Sequence, residues 1–97
     1  MPKLDKQQFI DWLASQPSDR RFKRGSPLSC PLARFLQEDK GYPNAGVALT
    51  RWRKNTQSWF GLGWPLPSWA AAFVFNFDFT THAEDARSAL TIARKIT

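Results

Sequence analysis

One cysteine and one histidine in 97 residues remove whole classes of chemistry from consideration. A single thiol, Cys30, excludes an intramolecular disulfide and suits a reducing compartment. One Cys and one His make no zinc site, which wants three or four such ligands at local spacing. Cys30 stands at a helix start, where a thiol pKa can fall and make a nucleophile. Its base would have to be His82, and nothing in the sequence places the two together. A packing role is the expected one, since free cysteine is among the most buried residue types. A phosphate-cradling loop is missing too, because Gly61-Leu62-Gly63 lacks the third glycine and the lysine. The eight acidic residues read as helix caps or solvated faces. We therefore expect no catalytic residue, no metal, no cofactor and no small-molecule substrate.

Long apolar runs are also scarce. The longest uncharged stretch, Asn55 to Phe77, is broken by Gly61, Gly63, Pro65 and Pro67. A membrane span needs about 20 predominantly apolar residues in one helix, so none is expected. The first residues, Met1 to Asp5, run straight into a helix pattern with acidic residues and do not look like a secretory signal. The expectation is a cytoplasmic protein folding as one domain over residues 1–97.

What the chain does have is positive charge and aromatic mass. Fourteen Lys and Arg against eight Asp and Glu give a net charge of +6, which favours anionic partners by long-range attraction. Five Trp, eight Phe and one Tyr exceed the need of a small core, because each buried ring removes about 150–250 Å² from water. Some rings should therefore lie at the surface.

Helical signals come first along the chain. Asp5 caps a helix in which Phe9, Ile10, Trp12 and Leu13 share a face; Gln8 holds the reciprocal capping-box position, and Leu4 staples onto Phe9. Pro17 stops this helix by Gln16. A second helix opens at Ser29-Cys30-Pro31, buries Leu32, Phe35 and Leu36, and closes at Gly41. A last one starts from the box Thr81-His82-Ala83-Glu84 and carries Ala86, Ala89, Leu90, Ala93 and Ile96 at helical spacing. Between them, Ser68 to about Phe75 reads as a helix on the strength of its alanine run, although Phe73, Phe75, Phe77 and Phe79 also alternate as in a strand. Arg20–Arg24 reads as a short edge strand or an extended arm, and Val47–Arg53 as a strand expected to pair with it. The expected class is α+β: a mostly helical domain of three or four helices with a two-stranded sheet. Its core should hold Phe9, Ile10, Leu13, Leu32, Phe35, Leu36, Val47, Leu49, Phe73, Ala86, Leu90 and Ala93.

If those strands pair, two basic clusters meet. Arg20, Arg21, Lys23 and Arg24 would adjoin Arg51, Arg53 and Lys54, with Trp52 exposed among them. Such a patch suits phosphates and a stacked base, or equally it is a solvated edge that discourages aggregation. Trp59 and Trp64, in the irregular segment, are the other candidate anchors. These ten residues form the expected partner-binding set. A helix-turn-helix is set aside: the stretch from Lys40 to Gly46, with a proline inside, is too long for its turn.

The motifs Phe9-x-x-Trp12-Leu13 with Gln16-Pro17, Cys30-Pro31-Leu32-Ala33-Arg34-Phe35-Leu36 and Leu66-Pro67-x-Trp69, followed by a Thr-capped last helix, resemble small proteins encoded by bacteriophages, prophages and plasmids. The resemblance covers most of the chain and implies a shared fold. No activity travels with that family, so no site residue is carried over. It further implies a bacterial host cell and a stoichiometric modulator of host machinery, of which anti-CRISPR proteins are one class. Many of those mimic nucleic acid with acidic surfaces. A basic chain points instead to grasping a host protein or nucleoprotein complex, or DNA or RNA directly.

Overall fold

A computed structural model describes residues 3–56, 63–79 and 84–96. Helix α1 spans Lys6–Ala14, and its start follows the capping logic in part. The Asp5 carboxylate accepts from the backbone N–H groups of Gln7 (2.8 Å) and Gln8 (3.2 Å), satisfying two of the unpaired donors at a helix start. Leu4 is buried, as a staple requires. The Gln8 side chain does not return the bond; its oxygen accepts from Lys40 Nζ. Phe9, Trp12 and Leu13 are buried and Ile10 is half-buried. Helix α2 spans Pro31–Glu38 and buries Pro31, Leu32, Ala33, Phe35 and Leu36. Gly41 follows it at φ +78°, the left-handed turn that releases the chain.

Helix α4 spans Ala86–Lys95. Its cap is Asp85, whose carboxylate accepts from Ser88 N–H at 2.8 Å, and not the expected Thr81 box. Thr81, His82 and Ala83 lie outside the described residues, and Glu84 is engaged elsewhere. The helix buries Ala86, Ala89, Ile92 and Ala93, with Leu90 and Ile96 half-buried.

Helix α3 is longer than expected, Ser68–Phe79. The stretch that also reads as a strand is helical throughout, and its phenylalanines split by helical spacing. Phe73 and Phe77, four apart, turn inward with Ala70 and Val74, whereas Phe75 and Phe79, also four apart, face solvent.

The sheet departs most from expectation. Val47–Arg53 is not one strand but a hairpin: β1 (Gly46–Val47) turns through Ala48-Leu49-Thr50 into β2 (Arg51–Arg53), with Ala48 N–H bonding Arg51 O at 2.8 Å. A third strand, β3 (Trp64–Pro65), completes an antiparallel sheet in the order β1-β2-β3. Arg20–Arg24 takes no part in it. That segment runs beside the start of α4, where Arg21 bridges Asp85, Phe22 N–H bonds Glu84 O and Ala86 N–H bonds Arg20 O. The class is therefore α+β, with four helices and a three-stranded sheet among the described residues. Among the described residues no helix is long and apolar enough to cross a membrane.

Two aromatic groups build the core. Phe9 on α1 meets Phe35 of α2 at 5.3 Å, Trp69 of α3 at 5.8 Å and Phe73 of α3 at 4.8 Å between ring centroids. Trp52, only 1% exposed, lies between Tyr42 (6.2 Å) and Trp64 (4.8 Å). In register, Val47, Trp52 and Trp64 are cross-strand partners and so share a face. Leu49, expected in the core, stands at the hairpin tip with 49% exposure. Gly63, at φ +76°, lets the chain pass against the Trp52 carbonyl, where a Cβ would collide. Truncating Trp52 to Ala is therefore expected to cost about 3–5 kcal/mol in a denaturant titration. Leu49→Ala should stay within about 0.5 kcal/mol of wild type.

Candidate binding surface

With Arg20–Arg24 paired to the start of α4 and not to the hairpin, strand pairing does not join the two basic clusters. The side chains expected to contact a partner have separate fates. Arg20 is turned onto the protein itself, its guanidinium 5.4 Å from the Trp12 ring and 5.1 Å from the Phe22 ring. It donates to Gln16 Oε1 (2.6 Å) and to both carboxylate oxygens of Glu38. The hydrogen bond to Glu38 raises the Arg20 pKa and holds the Glu38 carboxyl below the usual glutamate range. Arg24 is half-buried; its backbone N–H bonds Glu84 Oε2 at 2.7 Å, and its side chain lies beside the same carboxylate, with Nε 3.9 Å from Oε1. Arg21 and Lys23 are exposed.

In the hairpin, Arg51 is exposed and donates to Gly63 O at 2.9 Å. Arg53 is half-buried, and Lys54 places its ammonium 4.9 Å from the centre of the Tyr42 ring. Trp52, expected to stack on a partner, is sealed in the core because the alternation of β2 sends it inward and the flanking arginines outward. Trp64 is half-buried against it. Trp59 lies outside the described residues.

The exposed aromatic surface is elsewhere. Phe75 (59% exposed) and Phe79 (64%) sit on the outer face of α3, their centroids 5.0 Å apart. Among the described residues, Leu28 (47%) and Leu49 are the other large apolar side chains left in solvent. Phe79, Leu49 and Thr50 line a groove of about 590 Å³ that continues onto the buried side chains Val47, Val74 and Cys30, with residues 24–27 along one wall. Reading α3 as a helix to its end would have revealed the pair, since Phe75 and Phe79 share a face opposite Phe73 and Phe77. The exposure of Leu49 carries no such local signal.

Cys30 lies at the bottom of this surface as the cap of α2, its sulfur accepting from Ala33 N–H at 3.4 Å. Burial pushes its thiol up to about 11, with Asp78 adding to the effect and the Ala33 bond opposing it. That is the reverse of what a nucleophile needs. No group of three or more His, Cys, Asp and Glu side chains placed to hold a metal ion occurs among the described residues.

Two outcomes follow from these contacts. The Cys30 pKa is raised on folding, so the stability it contributes is complete below the ordinary thiol value of 9.0 and is lost as pH rises toward about 11. That alkaline loss is expected to be about 2–3 kcal/mol at its limit. Cys30→Ala, which should itself cost about 1–2 kcal/mol, is expected to remove it; equal alkaline slopes in the two proteins would contradict the assignment. Arg20→Ala should cost about 1–2 kcal/mol through lost ring contact and a partly exposed ion pair. Because the Glu38 pKa is lowered, its share is present above the ordinary glutamate value of 4.5 and fades as pH falls below it. Urea melts of both proteins across the acid range check this.

Comparison of the chain with protein-family models, with curated proteins and with solved structures finds no significant match, so the functional reading rests on the geometry of this surface.

Proposed function

We propose that the chain is a non-catalytic binding protein of the kind mobile elements encode. It engages a host protein or nucleoprotein complex stoichiometrically and modulates it, above all by inhibition, as anti-CRISPR proteins do. The observation that carries this reading is the exposed apolar surface made by Phe75 against Phe79 and by Phe79 and Leu49 about one groove, in a chain of net charge +6. Contiguous exposed apolar surface marks interaction sites, and interfaces draw most of their energy from a few buried anchors. Charge then serves encounter. Arg21, Lys23, Arg51 and Lys54 are exposed and would raise the association rate more than they slow dissociation. A second reading, an accessory protein that holds DNA or RNA directly, is favoured by those same four cations. It requires oligonucleotide affinity that falls with salt with a log–log slope of about 0.9 per phosphate contacted.

The leading reading is tested in bacteria with an active CRISPR system. Expression of the chain is expected to restore phage plaquing, and purified chain should inhibit the effector complex with saturation near one copy per site. Reversing Lys23 and Arg51 to Glu should slow association about tenfold at low salt and leave dissociation nearly unchanged. Full inhibition at far less than one copy per complex would indicate turnover and overturn the reading.

A further inference from the structure

We propose that the groove between the hairpin tip, residues 24–27 and the end of α3 receives one or two large apolar side chains from an acidic stretch of a partner polypeptide. This deepens the binding reading above and rests on it. The groove volume, about 590 Å³, falls in the range of sites that enclose side-chain-sized or larger apolar groups. Its depth is formed by Val47, Val74 and Cys30 and its lip by Leu49 and Phe79. The charged groups in its wall already have partners within the chain. Asp78 accepts from Gly25 N–H at 3.0 Å, and Arg24 is held against Glu84. An occupant is thus recognised by apolar contact.

Backbone pairing is closed off on this side as well. The edge of β1 is covered, since Val47 N–H bonds Pro27 O at 2.9 Å. A visiting segment cannot add as a strand there and must insert side chains instead.

Charge decides the kind of polypeptide. The whole molecule carries +6, and Lys23, exposed, adjoins the lining residue Arg24 in the chain. Carboxylates flanking an apolar anchor complement that field. A second copy of the chain fits less well, because it brings another +6 to the contact. A nucleic acid fits less well too. Phe75 and Phe79 lean on each other at 42°, so they offer no flat platform for a base, and the groove beyond them is largely aliphatic.

The experiment is selection of a random twelve-residue peptide display library on the immobilised full chain, followed by affinity measurement with the synthetic peptides recovered. The expected consensus has one or two Leu, Phe, Met or Trp residues flanked by Asp or Glu. Leu49→Asp and Phe79→Ser, both at exposed positions, are expected to weaken binding at least tenfold with unchanged thermal melts. Arg87→Ala, on the exposed face of α4, should bind as wild type. No enrichment, cationic consensus sequences, or equal binding by the groove variants would overturn the proposal. So would self-association in sedimentation that Phe79→Ser abolishes, or oligonucleotide binding that the same variant weakens. If both groove variants still restore phage plaquing fully, the groove assignment falls while the broader binding reading stands. Failure of wild type to restore plaquing, with peptide binding intact, has the opposite meaning.

Discussion

The packing of Phe9 against Phe35, Trp69 and Phe73 is the contact on which the rest of this structure depends. It joins α1, α2 and α3 through one ring, and the edge-on arrangements with Phe35 and Phe73 are those that aromatic quadrupoles prefer. A chain this short has few large residues with which to close a core. Once Phe9 fixes the angle between the helices, little freedom remains for the outer face of α3. Turning Phe73 and Phe77 inward obliges Phe75 and Phe79 to face water. The exposed pair is thus a geometric consequence of the core as much as a separate surface feature.

The helices were legible because each carries its own local instructions. Asp5 before Phe9, Trp12 and Leu13, and Cys30-Pro31 before Leu32, Phe35 and Leu36, combine a cap with a period, and both helices form where those signals lie. The sheet carried none. Strands of two or three residues are too short to display an alternating pattern, so Val47 to Arg53 looked like one strand when it is a turn between two. Trp52 between two arginines looked exposed for the same reason; only the arrival of Trp64 and Tyr42 from elsewhere in the chain buries it. At α4 the sequence pointed to the Thr81 box, whereas the bond from Ser88 N–H identifies Asp85, four residues on, as the cap in use.

The candidate surface was legible as a balance of charge and aromatic mass, but its location was not. Arginine is an ambiguous signal, since a guanidinium can serve a partner or clamp its own protein. Arg20 does the second, laid over Trp12 and Phe22 and tied to Glu38. The excess of aromatic residues was real, yet among the described residues it emerged on α3 and not at the tryptophans. Helical spacing allots alternate pairs of phenylalanines to opposite faces, whereas the environment of a lone tryptophan is settled by distant residues.

The small sheet ends at both sides in ways that matter beyond the fold. On one side the Pro27 carbonyl occupies the Val47 N–H. On the other, β3 contains Pro65, which has no N–H to offer. Open strands are templates on which chains stack into fibres; here one flank is covered and the other lacks a donor. A protein that leaves phenylalanines in solvent at the concentrations of an expressing cell has one route to insoluble assemblies narrowed from the outset. Its stickiness is thereby confined to side chains, which can discriminate among partners, and kept away from the backbone, which cannot.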